Sequence, residues 1–162
     1  MSTPTIIRFL GSGNYREDSK VILYRHNDGD PVTQLRVLAR IIRQAGTKAH
    51  EYRSNAPHIA DRCKITPSTL AGLYIGETTT TFGMVAQFVD DDAYFGEYIY
   101  TVNVDTSEIS VTDSDENPVD PYTYIDRLHE ECQDQHRGSL EESIELLDDT
   151  GYTVLPRHDE VS

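Results

Sequence analysis

Between residues 97 and 104, aromatic or apolar side chains at the even positions alternate with mostly polar side chains at the odd positions. This is the pattern of a β-strand with one buried face. Successive side chains of a strand point to opposite faces of its sheet. The turn-forming runs Asp90–Asp92 and Asp105–Ser107 stand on either side, with β-prone residues beyond them. This succession predicts a three-stranded antiparallel meander over residues 84–111. The side chains expected to face inward from its middle strand are Tyr98, Tyr100, Val102 and Val104.

A β-hairpin followed by a helix is predicted nearer the N-terminus. Two runs of β-branched and aromatic residues, separated by a glycine-rich loop, indicate a hairpin over residues 5–26. Asp30 can accept a hydrogen bond from the first turn of a helix, and Pro31 suits its first position. We therefore expect a helix over residues 31–45 that ends at Gly46. Its inward face, at three- and four-residue spacing, is Leu35, Leu38, Ala39, Ile42 and Ala45.

Further helices and an edge strand are expected on either side of the meander. Residues 59–63 and 68–75 would form short helices, the second ended by Gly76, and residues 78–81 are β-prone. Beyond the meander, Ser139 would cap a last helix, and residues 152–155 would add an edge strand. Another helix, opened by Asp120 and Pro121, would carry on one face Ile125, Leu128 and Cys132.

The order of these elements predicts a single α+β domain over residues 1–156. Its sheet would be antiparallel, built from the N-terminal hairpin and the three-stranded meander, with the helices packed against it. Residues 157–162 are expected to be a mobile tail.

Charge is divided unevenly along the chain. Residues 1–82 contain eleven Lys or Arg against seven Asp or Glu, a net charge of +4. Residues 83–162 contain three against twenty-one, a net charge of −18. Uniform acidity is typical of a halophilic protein, whose whole surface must stay solvated in concentrated salt. The uneven distribution in this chain instead favours an acidic face with a function of its own. Such a face repels nucleic acid, so we expect no direct nucleic-acid binding.

Apolar runs and cysteine positions restrict the compartment. The apolar runs reach only about four residues, as at Val21–Tyr24, so no membrane span is expected. The first residues lack the pattern of a secretory signal, which favours a cytoplasmic protein. Cys63 and Cys132 lie far apart in separate predicted elements, and both are expected to be reduced and buried.

Two groups of potential metal ligands stand out, and both have a structural explanation. His26, Asp28 and Asp30 could ligate a divalent ion at the end of a strand. The same residues are explained by a turn at Asp28 and a helix cap at Asp30, so we expect no metal and no other cofactor. The second group shares one helix face without the paired spacing of a zinc site, and consists of His129, Cys132 and His136. No catalytic residue can be assigned from the spacing of nucleophiles and bases.

Tyr24 to Pro31 resembles the Tyr-Lys/Arg-His-x-Asp-Gly-Tyr-Pro motif of small uncharacterised phage and prophage proteins. Residues 97–105 and the following Glu108-Ile109 are similar to a second strand pair of those proteins. Asp30 departs from the motif, because an aromatic residue usually occupies its position. The resemblance implies a viral or mobile-element origin and supplies no activity.

Three functions from different classes are compatible with the sequence. The first is a non-enzymatic accessory protein of a virus or mobile element, located in the host cytoplasm, that binds a basic, nucleic-acid-handling host protein. An inhibitor of a host defence complex, such as a CRISPR effector, would be one instance. The second is a metal-dependent hydrolase or nuclease using His26, Asp28 and Asp30, and the third is a virion subunit. Oligomeric state is left open. The partner-binding residues of the first hypothesis are Asp90, Asp91, Asp92, Glu97, Asp113, Asp115 and Glu116.

Overall fold

The fold is a six-stranded mixed sheet with helices on one face. The computed structural model describes residues 3–11, 20–55, 65–82, 86–89 and 95–157. The strands are β1 (Thr5–Leu10), β2 (Lys20–Arg25), β3 (Gln87–Phe88), β4 (Tyr98–Asn103), β5 (Glu108–Asp113) and β6 (Thr153–Leu155), in the spatial order β3-β2-β1-β4-β5-β6. The helices are α1 (Pro31–Asn55), α2 (Pro67–Phe82), a 3-10 helix (Pro121–Arg127) and α3 (Glu130–Asp149).

Strand pairing confirms the α+β class and corrects the prediction of an antiparallel sheet. β1 and β2 form the expected antiparallel hairpin, and so do β4 and β5. β1 also pairs with β4, and β5 with β6, and both of these pairs are parallel. The three-stranded meander is wrong because β3 pairs with β2 instead of β4. Parallel neighbours cannot be joined by a tight turn: the 3-10 helix and α3 connect β5 to β6, and β2, α1, α2 and β3 come between β1 and β4 in the chain.

The main core lies between the sheet and the helices. α1 contacts both α2 and α3; α2 also contacts β1 and β2, and α3 contacts β6. α1 is therefore the middle helix of the layer, and α3 lies at the β6 edge. Large side chains that are completely buried in this core include Ile7, Phe9, Leu23, Leu35, Leu38, Ile42, Tyr74, Tyr100 and Ile109.

A smaller apolar cluster occupies the other face of the sheet. Ile6, Ile22 and Ile99 are buried there. Nearby, the guanidinium Nη1 of Arg8 lies 2.6 Å from Oε1 of Glu116, in an ion pair that joins β1 to the turn after β5. In the described part of the chain, no helix is long and apolar enough to cross a membrane.

Both long N-terminal helices run past their predicted ends. α1 begins at Pro31 as expected, but it continues through Gly46 to Asn55. An exposed glycine inside a helix costs only about 1 kcal/mol, which tertiary packing readily offsets. α2 likewise passes through Gly76 and continues to Phe82, and within it the hydroxyl of the β-prone Thr78 donates a 2.8 Å hydrogen bond to the carbonyl of Tyr74.

The region from Asp120 to Asp149 differs most from its prediction. Asp120 does begin a helix, but this is a 3-10 helix that ends before Leu128. α3 starts at Glu130 and runs straight through Ser139, the predicted cap of a separate helix. Cys132 is therefore on α3, where it is exposed, contrary to the prediction that it is buried. β6 confirms the edge strand, while the short helix at 59–63, Cys63 and residues 158–162 lie outside the described residues.

Candidate protein-binding surface

Some of the carboxylates predicted to bind a partner lie together at one end of the sheet. Tyr98 is opposite Asp113 in the β4–β5 pair, which brings Glu97 close to the turn after β5. Oε1 of Glu97 is 3.4 Å from Nη1 of Arg127, and Glu116 forms the ion pair with Arg8. These carboxylates are thus already near cations of the same chain. The remaining predicted residues before β4 are outside the described part of the chain: Asp90, Asp91 and Asp92.

The turn after β5 uses its own carboxylates for local structure. Oδ1 of Asp113 accepts hydrogen bonds from the backbone N–H groups of Asp115 and Asn117, both at 2.9 Å. Glu116 has a φ of 63°, in the left-handed region that a tight turn needs. Turn formation therefore accounts for the acid at position 113. A role of Asp115 and its neighbours in partner binding stays a prediction.

The densest exposed charge in the described residues belongs to α3. Arg137 is its one basic residue, and its guanidinium Nη1 lies 3.6 Å from Asp134. Eight of the 20 residues are acidic, and all eight are exposed. We call this set the acidic helix surface: Glu130, Glu131, Asp134, Glu141, Glu142, Glu145, Asp148 and Asp149.

Packing on the opposite side of α3 allows so many acids on one helix. Leu140, Ser143 and Leu147 form its buried face. Burial of such leucines stabilises the helix by about 2 kcal/mol each. By contrast, like charges four residues apart, as at positions 141 and 145, destabilise a helix by about 0.2–0.5 kcal/mol, and acids in the last turn oppose the helix dipole. The acids from Glu141 to Asp149 therefore reduce the stability of α3, which favours a role in binding, whereas Glu130 and Glu131 in the first turn interact favourably with the helix dipole.

A groove of about 660 Å³ runs between α3, the 3-10 helix and β6. Asp120, at one end, is 4% exposed, and its Oδ1 accepts a 3.0 Å hydrogen bond from the N–H of Tyr122. The other carboxylates of the groove come from α3 and are Glu141, Glu145 and Asp148. The apolar and aromatic side chains of the groove are Pro121, Tyr122, Ile144, Tyr152, Val154 and Pro156.

The tyrosines of this groove keep their protons at neutral pH. Burial raises the pKa of the Tyr122 hydroxyl, and the negative charges of Glu141 and Asp120 raise it further. Burial also raises the pKa of Tyr152. Both hydroxyls can therefore donate hydrogen bonds beside the carboxylates. Because Arg157 is the one basic side chain among the described residues of the groove, the groove is strongly negative.

The segment from His26 to Asp30 is occupied by turn and cap contacts. Oδ2 of Asp30 accepts a 3.0 Å hydrogen bond from the N–H of Thr33, which caps α1. Asp28 has a φ of 60° and lies 3.6 Å from the buried guanidinium of Arg25, while Nδ1 of His26 is 2.9 Å from the hydroxyl of Tyr24. Across the described ranges, no three His, Cys, Asp or Glu side chains come close enough together to hold a metal ion.

The groove residues of α3 were not among the predicted partner-binding residues. The spacing of Glu141, Glu145 and Asp148 could have indicated them, because side chains four and then three residues apart share a helix face. Comparison with known protein families, with curated proteins and with solved structures finds no match for this chain. A function must therefore be argued from the surface itself.

Proposed function

We propose that this protein is a non-enzymatic binding protein that presents the acidic helix surface to a basic protein. The observation that carries the proposal is the density of exposed carboxylates on α3, eight in 20 residues against a single arginine. A helix of this length extends for about 30 Å, which gives roughly one negative charge per 4 Å. One strand of DNA carries a phosphate about every 3.4 Å of its axis. The charge of α3 thus approaches that of a nucleic-acid strand.

The best-matched partner is a protein that handles nucleic acids. Its phosphate-binding groove would be lined with Lys and Arg, which attract a row of carboxylates as they attract phosphates. The resemblance of residues 24–31 to phage proteins suggests that this partner belongs to a host cell, in its cytoplasm. A host defence complex such as a CRISPR effector has the required chemistry.

The two other hypotheses have less support from the geometry. A hydrolase based on His26, Asp28 and Asp30 would have to release these side chains from the contacts with Tyr24, Arg25 and Thr33. A virion subunit would be a large homo-oligomer, which light scattering would detect.

Competition with nucleic acid tests the proposal. Partners are captured from a host extract and identified, and the affinity of each purified partner is then measured with and without duplex DNA. We expect DNA and this protein to compete. Replacing the eight acids of α3 by their amides should abolish binding, because exposed charges dominate the contact. If the amide variant binds the purified partner as tightly as the parent chain, the proposal is wrong.

A second variant tests the predicted turn residues separately. It replaces Glu97, Asp115 and Glu116 by their amides and leaves α3 intact. Because two of these acids already pair with Arg127 and Arg8, we expect a smaller loss of affinity than for α3. A loss larger than that of the α3 variant would move the binding surface to this end of the sheet.

A further inference from the structure

β6 is an edge strand, and among the described residues no strand pairs with its outer side. It is the last strand in the sheet order. The N–H of Thr153 donates a 2.9 Å hydrogen bond to the carbonyl of Ser107, on the β5 side. Backbone groups alternate in direction along a strand, so the N–H and C=O of Val154 point away from β5. No described residue takes these two groups, so a further strand can pair with them.

The groove lies along this edge. One of its sides is formed by α3 residues from Glu141 to Asp148, and the other by residues from Tyr152 to Arg157. At the far end, the N–H of Val119 donates a 3.0 Å hydrogen bond to the carbonyl of Val111, so the chain itself occupies the edge of β5 beyond β6. Residues 120–122, which follow Val119, line the groove together with β6.

The spacing of the carboxylates matches an extended chain. Glu141 and Glu145 are one helical turn apart, which corresponds to about 6 Å along the helix axis. Alternate residues of an extended strand project to the same side and are about 6.6 Å apart. Cationic side chains at alternate positions of a strand can therefore meet these acids in turn. Side chains at the positions between them project to the other face of the sheet, because Tyr152 and Val154 lie in the core on the same side as α3.

We infer that the groove binds an extended basic segment of a partner protein, which adds to the sheet as a strand next to β6. The inference rests on the proposed function and specifies how the partner is held. Backbone hydrogen bonds to Val154 supply the register, and the groove acids select Lys or Arg at alternate positions. Nucleic acid is excluded because its phosphates would face four carboxylates and one arginine.

Calorimetry with a short synthetic peptide in which arginine alternates with valine tests this site. The groove variant is E141Q/E145Q/D148N, and the matched control is E130Q/E131Q/D134N, which removes the same number of charges from the same helix. The control acids belong to the surface proposed for a whole partner, but they lie about 10 Å or more from Glu141 along the helix axis, beyond a short peptide held in the groove. We expect the groove variant to weaken binding at least about tenfold and the control to weaken it less than about threefold. Circular dichroism checks that both variants fold, since all six positions are exposed.

Strand addition is tested with the parent chain and a modified peptide. One peptide is N-methylated at its arginines and another at its valines, which removes the backbone donors of one edge each and leaves the charge unchanged, so one of the two should not bind. The amide N–H resonance of Val154 should shift with the unmodified peptide. Equal weakening by both variants would overturn the groove site, and unchanged binding of both methylated peptides would overturn strand addition. If no peptide binds while a folded basic partner does, this inference is wrong and the proposed function stands.

Discussion

At the residue scale, buried polar side chains hold the loop between β2 and α1. The hydroxyl of Tyr74 donates a 2.6 Å hydrogen bond to Oε1 of Gln34, whose Nε2 donates a 2.7 Å bond to the carbonyl of Asp28. The hydroxyl of Tyr100 donates a 2.7 Å bond to the carbonyl of Gly29. A Cβ at Gly29 would lie 2.5 Å from the carbonyl oxygen of Thr3, so this position requires glycine. The network joins α1, α2 and β4 to this loop, and no local sequence pattern reveals it.

Replacing Asp30 with alanine should lower stability without changing partner binding. The carboxylate satisfies the N–H of Thr33, and losing such a cap costs about 0.5–2 kcal/mol. Urea denaturation measures the difference. Asp30→Asn is the matched control, because an amide oxygen can cap the helix equally well. A metal-dependent activity lost in both variants would contradict the assignment of this segment to turn and cap.

Alkaline pH should unfold the protein through its buried tyrosines. Burial raises the pKa of both Tyr74 and Tyr100, and the charge of Asp30 raises that of Tyr100 further. Unfolded tyrosine ionises near pH 10, so above that pH the unfolded chain releases protons that the folded chain retains. Stability is therefore full below about pH 10 and falls as the pH rises beyond it.

Tyrosinate absorbance and urea denaturation against pH check this expectation. The Tyr100→Phe variant should be less stable at neutral pH, because it loses the bond to Gly29. Its stability should also fall less steeply above pH 10, because one fewer proton is released. An equally steep fall in the parent and the variant would show that Tyr100 does not contribute.

At the element scale, one glycine inside α3 and one just past its end should respond to alanine substitution in opposite directions. Gly138 lies inside the helix, where a Cβ would meet no atom within 4 Å. Gly151 follows the helix with a φ of +91°, and the N–H of Tyr152 donates a 2.9 Å bond to the carbonyl of Leu147. Gly138→Ala should stabilise the protein by about 0.5–1 kcal/mol, and Gly151→Ala should destabilise it. Thermal unfolding of both variants decides whether α3 is continuous as described.

Burial of α1 in the main core gives a second prediction at this scale. Leu38 is completely buried, so Leu38→Ala should cost about 2–5 kcal/mol. Gln44 is an exposed position of the same helix, and Gln44→Ala should change stability by less than about 0.5 kcal/mol. Chemical denaturation of both variants measures this difference. Equal effects would mean that the predicted face of α1 is not the buried one.

Local elements were easier to predict than their partners. The strands at 5–10 and 98–103 and the start of α1 follow from alternation and capping, which act over a few residues. The parallel pairing of Ile7 with Tyr100 depends on a crossover through the helix layer, which no local signal specifies. Gly138 and Ser139 have the composition of a helix end, but burial of Leu140 and Leu147 overrides it. The acidity of the C-terminal half was evident from the sequence, but α3, the single long helix that carries the acidic helix surface, was not predicted.

At the scale of the whole molecule, the sheet order converts the division of charge along the chain into a division in space. The N-terminal strands β1 and β2 lie under α2, while β5 and β6 lie at the opposite side with α3. α1 lies between them and carries several of the arginines of the N-terminal half. The Nη1 atom of one of them, Arg40, lies 3.2 Å from Oε1 of Glu77. The acidic helix surface is thus at one edge of the molecule, where a large partner can reach it.

This arrangement predicts that salt acts in opposite directions on stability and on binding. With a net charge of −14, mutual repulsion concentrated on α3 destabilises the folded chain. Raising the ionic strength from about 0.01 M to about 0.1 M shortens the screening length from about 30 Å to about 10 Å. Repulsion within the chain and attraction to a basic partner are both weakened. Stability in urea, an uncharged denaturant, should rise, and affinity for the partner should fall.

The E141Q/E145Q/D148N variant connects the two effects to one surface. With three fewer charges on α3, both its stability and its affinity should depend less on salt than those of the parent chain. Stability that falls with salt in the parent chain would mean that attractive pairs, such as Arg8 with Glu116, outweigh repulsion on α3. The density of carboxylates on α3 would then have a smaller electrostatic effect than the proposed binding function requires.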